Sequence, residues 1–204
     1  MSFHIAIPSL GRAQSLKMKT MSYLGRTDVL SLANGVDVFL SDGSERDEYE
    51  KTLDGLPVRF IVTEQKHVNT QRNFIVDYYK EGENILGIDD DIESVRYKVT
   101  SKKTTEVVRL TEFVETAFDI CKANEVDIWG VNPVLNPFFM KENVSFNLKY
   151  IPAGFYGWVN SRSKKAYVST KPEYGKEDFE RSIKYYMDDN VIRKILGPPG
   201  TGKT

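Results

Sequence analysis

The chain has 204 residues, a formal net charge of −1, one cysteine and two histidines. This length fits one domain with an ordinary core, and a charge near zero removes the overall field that would draw the protein to nucleic acid or an anionic membrane. Cys121 alone excludes an intrachain disulfide framework or a cysteine-rich zinc site, and His4 and His67 are too few for histidine-built zinc chemistry.

FHIAIPSL, Phe3 to Leu10, reads as a first strand that ends in a Pro-Ser-Leu-Gly-Arg loop, with a helix from about Gln14 to Leu24 beyond it. VDVFLSD, Val36 to Asp42, is a second strand, followed by a polar helix start in GSERDEYEKTL. VRFIVTE, Val58 to Glu64, is a third. The helix in VNTQRNFIVDYYKEG is expected to bury Phe74, Val76 and Tyr78. A fourth strand in ENILGIDDD runs straight into Asp89, Asp90 and Asp91. Strands alternating with helices predict an α/β domain with a mostly parallel, mixed sheet flanked by helices, whose ligands sit beyond the carboxyl ends of the strands. Ser9 and Arg12, Asp42, and Asp89 to Asp91 all fall at such ends, on the rim of one expected site.

The second half predicts a helix N-capped by Thr111, with Phe113, Ala117, Ile120 and Cys121 on one face. A strand at Val126 to Val131 and the Pro-rich segment NPVLNPFFM follow. Tyr150 to Asn160 reads as an apolar, aromatic strand, and a last helix from about Glu177 to Asp188 carries Phe179, Ile183 and Met187 at i, i+4, i+8. No stretch reads as a signal peptide or an uninterrupted apolar span, so a soluble, cytoplasmic protein is expected.

The acidic triplet carries the chemistry. Carboxylates crowded at the end of a buried strand repel one another and are costly to desolvate. They become favourable when a hard divalent cation, Mg²⁺ or Mn²⁺, sits among them and takes substrate phosphates in its remaining positions. The alternative is a solvated acidic turn. The pattern points to a metal that holds a phosphorylated donor.

IAIPSLGR, QRNFIVDYY, GIDDDIE, NPFFM and EDFERSIKYY together resemble a GT-A-type nucleotide-sugar glycosyltransferase, over roughly residues 3 to 193. The similarity is strongest to the phage and base-J-associated enzymes that glycosylate hydroxymethylated pyrimidines in DNA. That resemblance implies a nucleotide-sugar donor, a uridine diphosphate sugar by analogy, and a phage protein acting in the host cytoplasm. It makes Asp89 and Asp91 a DxD-type metal motif, with Asp90 free to take either the metal or the ribose. Pro8, Ser9 and Arg12 match the family's first donor loop, and Asp42 sits where a base- or ribose-binding acid is expected. Arg72, next to Asn73, either supports the acidic loop or contacts the diphosphate through its planar fork. Glu177 and Asp178 match the family's ED motif, with Asp178 as general base and Glu177 as its support, which implies inversion. Their other reading is a favourable pair of acids at a helix N-terminus.

For a DNA acceptor, Phe155, Tyr156 and Trp158 are candidates to stack on an extruded base. Arg96, Lys98, Lys102, Lys103 and Arg109, and a second set of Arg162, Lys164, Lys165, Lys171 and Lys176, are candidates for phosphate contacts. A solvated loop and a buried aromatic strand are the other readings. GPPGTGKT, Gly197 to Thr204, is a complete P-loop pattern with no helix behind it. It leaves two competing functions: the front of a P-loop NTPase, or a non-catalytic nucleotide-sugar-binding module.

Overall fold

The computed structural model describes residues 2–33, 35–141, 143–171, 176–188 and 195–196. Strand β1 (His4–Ser9) leads through Gly11, whose φ of +60° suits a residue without a Cβ, into α1 (Ala13–Leu16). The helix widens through a π turn (Lys17–Met21) before α2 (Ser22–Leu24). After α3 (Val29–Leu32) come β2 (Val36–Leu40), a 3₁₀ turn (Gly43–Glu45), α4 (Arg46–Thr52), β3 (Val58–Val62), α5 (Val68–Tyr78) and β4 (Asn84–Ile88). A hairpin of β5 (Arg96–Thr100) and β6 (Lys103–Glu106) precedes α6 (Leu110–Ala123) and β7 (Ile128–Gly130). Short β8 (Val144–Ser145), β9 (Phe155–Val159), a 3₁₀ turn (Lys164–Ala166), α7 (Glu177–Asp188) and β10 (Ile195–Leu196) complete the order. Among the described residues no helix is long and apolar enough to cross a membrane.

The main sheet has the order β3-β2-β1-β4-β9-β7. β3, β2, β1 and β4 are parallel, while β9 is antiparallel to both β4 and β7 and so runs alone against the rest. The expected mixed, mostly parallel α/β sheet is what the chain forms. The period-two alternation of strand side chains divides the core. Ile5, Ile7, Val38, Leu86 and Ile88 face α1, α2 and α6 on one side, where Val114, Phe118 and Trp129 join them. Ala6, Phe39, Ile85, Tyr156 and Trp158 face the other, with Ile75 of α5 and Tyr185 of α7. Trp129 lies opposite Gly157 in the β7–β9 register, over the space that a Cβ there would occupy.

Four local expectations change. The buried face of α5 is Asn69, Gln71, Arg72, Ile75 and Val76, and Tyr78 is exposed. This helix meets strand and loop carbonyls that need donors: Gln71 Nε2 reaches Phe39 O of β2 at 2.7 Å and Asn69 Nδ2 reaches Ser169 O at 2.7 Å. Thr111 is no N-cap; Arg109 precedes α6, and Asp28 Oδ1 accepts from the Thr111 N–H at 2.9 Å. The aromatic strand is only Phe155–Val159. On α7 the predicted Phe179, Ile183 and Met187 stripe is exposed, whereas Arg181, Ser182 and Tyr185 are buried. The inward face packs on Tyr156 and on backbone that needs an acceptor, since the Ile151 N–H donates to Ser182 Oγ at 3.0 Å.

Candidate active site

The chain builds β1, β2 and β3 outward, then returns to place β4 on the other side of β1. Between β1 and β4 the strand order therefore reverses, and the crevice beyond their carboxyl ends is where an α/β sheet binds ligands. Ser9 and Asp90 meet there: Ser9 Oγ donates to Asp90 Oδ2 at 2.6 Å.

Two arginines hold the acidic loop from opposite sides. Arg12 Nη1 lies 2.9 Å from Asp90 Oδ1, and its Nη2 lies 2.7 Å from Asp91 Oδ2. Arg72, buried in α5, places Nη2 at 2.8 Å from Asp89 Oδ1 and Nε at 3.5 Å from Glu177 Oε1. Burial alone would lower the Arg72 pKa, but the Tyr156 oxygen, Asp89 and Glu177 outweigh it and hold the group charged above its ordinary value. Asp90, which was expected to contact donor or metal beside its neighbours, turns inward and is buried. Desolvation raises its pKa, against the pull of Ser9 and Arg12.

Further contacts brace the loop. Thr20, buried within the π turn, donates from Oγ1 to Asp89 O at 2.7 Å and accepts from the Ile92 N–H at 2.9 Å. Such a turn inside a helix is a frequent companion of functional sites. Tyr49 OH lies 2.7 Å from Ser9 Oγ and accepts from the Arg12 N–H at 3.0 Å. Glu45 Oε2 accepts from the Gly11 N–H at 2.8 Å. Across the crevice, the Asp89 N–H donates to Gly154 O at 3.0 Å, which ties the acidic loop to the start of β9.

Glu177 and Asp178 open α7 as expected, and Arg72 joins Glu177 to Asp89, so the ED pair and the acidic loop share one crevice. Asp178 accepts from its neighbour's amide, Phe179 N–H, at 2.9 Å and from the Tyr150 hydroxyl. The Tyr150 ring stacks on Phe179 with centroids 4.4 Å apart. That carboxylate pushes the Tyr150 phenol up to about 12. One turn further on, Arg181 is buried against the Tyr156 ring, 4.0 Å from its centroid, and its Nε and Nη2 lack a hydrogen-bond partner among the described residues.

The other expected site residues fall as follows. Pro8 and Ser9 end β1 at the crevice. Asn73 faces away from the acids, bonding Val168 through both Nδ2 and Oδ1 at 2.9 Å. Asp42 ends the β2 segment and caps the 3₁₀ turn, accepting from the Ser44 N–H at 2.8 Å, a bond that lowers its pKa. Phe155, Tyr156 and Trp158 are buried in the sheet and offer no stacking face, because β9 is an inner strand flanked by β4 and β7. Of the basic residues, Arg162 is spent on the carbonyls of Asp77 and Tyr79, and Lys165 is buried 2.7 Å from Asp127. The GPPGTGKT segment lies outside the described residues.

Tyr49, Thr20, Glu45 and Tyr150 had no distinguishing sequence signal, since each sits in an unremarkable polar or aromatic context and matters through residues far along the chain. A divalent cation can be tested against this donor set. Among the described residues no three His, Cys, Asp or Glu side chains converge on one point. Arg72 takes Asp89 Oδ1 and Arg12 takes Asp91 Oδ2, which leaves the other oxygen of each carboxylate for a ligand. An oxygen-only pair of this kind suits a hard cation that draws its remaining ligands from a diphosphate and water.

No family model and no curated protein matches the sequence. Solved structures match by shape. S. aureus TarS 1-349 aligns with a TM-score of 0.62 at 15% identity, covering 98% of this chain and 59% of that one. The same TarS fragment has been solved with UDP-GlcNAc and with UDP. Mannosyltransferase PcManGT from Pyrobaculum calidifontis, in complex with GDP-Man and Mn²⁺, aligns with a TM-score of 0.60 at 12% identity, covering 97% of this chain and 54% of that one. The shared fold is of the GT-A type. At these identities the likeness is one of fold, and the chain spans less than two thirds of the length of the structures it matches.

Proposed function

We propose that this domain transfers a sugar from a nucleotide-sugar donor to an acceptor hydroxyl. The observation that carries the reading is the crevice between β1 and β4, where Arg12 and Arg72 hold three aspartates beside the carboxylates that open α7. Asp89 and Asp91 would hold Mn²⁺ or Mg²⁺, which would neutralise the donor diphosphate and make it a better leaving group. Arg12, half-exposed at the mouth, and the Pro8–Ser9 end of β1 would face the diphosphate, and Asp42 the nucleoside. A uridine donor follows from the sequence resemblance and from the UDP complexes of TarS.

Asp178 serves as general base. Its carboxylate takes the proton from the acceptor hydroxyl as that oxygen attacks the anomeric carbon, and the bond from this carbon to the diphosphate breaks on the opposite face. The configuration inverts. Glu177 is tied to Arg72 and so fixes the start of α7 against the acidic loop, which sets the distance between donor and base. The sequence resemblance alone supports a hydroxymethylated pyrimidine in DNA as the acceptor, in a phage-infected host.

The test is a thermal-shift panel of UDP, GDP, ATP and nucleotide sugars, each with and without Mn²⁺. A ligand that binds only the folded state raises its melting temperature. A metal-dependent shift with one nucleotide and its sugar, abolished in Asp91→Ala, is expected. A shift with ATP alone would transfer the function to the GPPGTGKT segment. Donor binding without turnover on any hydroxyl acceptor would leave a binding module in place of an enzyme.

A further inference from the structure

Tyr49 of α4 reaches the mouth of the crevice from the core. Its ring is fully buried and lies edge-on to Phe60, a place that a phenylalanine would fill equally well. The hydroxyl is what the core does not need. Among the described residues its hydrogen-bond partners are Ser9 Oγ, at 2.7 Å, and the Arg12 N–H, at 3.0 Å. A hydroxyl has one proton to give. Ser9 gives its proton to Asp90 Oδ2, so Ser9 Oγ accepts from the Tyr49 O–H, and the Tyr49 oxygen accepts from Arg12. The chain of bonds therefore runs one way, from the Arg12 amide through Tyr49 and Ser9 to Asp90. It closes into a ring because the Arg12 guanidinium returns to the same carboxylate, with Nη1 at 2.9 Å from Asp90 Oδ1.

Resting on the glycosyltransfer reading, we propose that Tyr49 is a positioning residue for donor recognition: its hydroxyl locks Arg12, so that the guanidinium meets the donor diphosphate already oriented. The Arg12 side chain is 49% exposed, and a free arginine at such a place loses rotamer entropy when it grips an anion. The ring removes that cost beforehand by holding Arg12 at both ends, through its backbone amide and through Nη1. Contacts with Asp90 and Asp91 use only part of the planar fork. The remaining N–H donors suit an anion with several oxygens. A second acceptor comes from one turn before Tyr49, where Glu45 Oε2 takes the Gly11 N–H at 2.8 Å. Two consecutive amides of the loop are thus held by the same short stretch of chain. Both Asp90 oxygens are engaged in the ring, one by Ser9 and one by Arg12, which makes Asp90 the anchor of Arg12.

The test compares wild type with Tyr49→Phe, which keeps the ring and removes the hydroxyl, with Arg12→Ala, and with the double variant. UDP is titrated calorimetrically into each in the presence of Mn²⁺, and melting temperatures are recorded alongside. Tyr49→Phe is expected to weaken UDP by about tenfold. Arg12→Ala should weaken it at least as much. The double variant should bind no more weakly than Arg12→Ala, because Tyr49 acts through that side chain. A lower melting temperature with wild-type UDP affinity would make the hydroxyl structural only and overturn the proposal. Losses that multiply in the double variant would overturn it too. A second measurement needs no ligand: heteronuclear NMR of the Arg12 guanidinium, assigned by its loss in Arg12→Ala. Slow rotation of the head group is expected in wild type and fast rotation in Tyr49→Phe, and equal rates would sink the proposal. If wild type binds no UDP while the rates still differ, the hold of Tyr49 on Arg12 is upheld and the donor reading falls instead.

Discussion

The Tyr150 hydroxyl donates to the Asp178 carboxylate while its ring lies flat on Phe179, so one side chain fixes two consecutive residues at the start of α7. Tyr150→Phe keeps the stack and removes the hydrogen bond. Under the proposed mechanism the variant is expected to melt close to wild type and to lose about tenfold in kcat with an unchanged KM for donor, the signature of a misaligned base. Asp178→Asn should lose ~10²–10⁴-fold in kcat. Adding Tyr150→Phe to it should cost nothing more. Steady-state kinetics on the three variants make the comparison, and faster turnover in Tyr150→Phe would mean that the phenol obstructs the base.

The same bond is visible in a titration. The Tyr150 phenol is raised from 10.0 to about 12, first by its hydrogen bond to Asp178 and then by burial. A group raised in the folded state contributes stability that is complete below its unfolded pKa and is lost as pH rises through the folded one. The contribution of this contact should therefore hold up to about pH 10 and vanish through about 12. Tyrosinate absorbance of wild type minus Tyr150→Phe isolates the group. In Asp178→Asn the difference curve should move back toward lower pH.

Among the described residues Arg72 is the cation that bridges Asp89 and Glu177. Arg72→Met leaves two carboxylates facing each other with the bridge gone, and breaking a buried pair in this way costs roughly 3–5 kcal/mol. The lower end is expected because the Asp89 side chain is 33% exposed. A domain of this size should then melt about 6–12 °C lower. Arg72→Lys should recover only part of the loss, because an ammonium cannot serve both acids as a planar fork does. Differential scanning calorimetry separates the three proteins.

Gly157 lies beneath Trp129, and a methyl group there would overlap the indole ring. Gly157→Ala is expected to destabilise by ~1–3 kcal/mol or more, since the ring is enclosed by Phe113, Phe118 and Phe155 and has nowhere to move. Urea denaturation should show a lower midpoint at the same slope. An unchanged midpoint would mean that the β7–β9 register differs from the one described.

The sheet and the acidic rim were legible because their signals are local. Apolar runs ended where polar loops began, so the ends of β1, β2 and β4 and the first turn of α7 could be placed from spacing alone. Orientation was not local. Asp90 turns inward because Ser9, 81 positions earlier, waits beneath it. Phe155, Tyr156 and Trp158 looked like a stacking surface, yet an aromatic strand reads the same at an edge and in the middle of a sheet. The stripe of Phe179, Ile183 and Met187 satisfied helical periodicity on the wrong face, because Arg181 and Ser182 have partners on β9 and before it that the pattern along one helix does not reveal. Tyr150 became a candidate only when the fold brought it 28 positions along the chain to Asp178.

The reversed direction of β9 has an evolutionary consequence. Its first residues stand beside the last residues of β4, where Gly154 accepts from the Asp89 amide, so the segment before it arrives at the acids without contributing a strand between β4 and β9. The length of that segment is not set by any strand spacing in the main sheet. Insertions and swaps among residues 131–150 can therefore reshape the surface beside the acidic loop while the crevice between β1 and β4 is inherited intact.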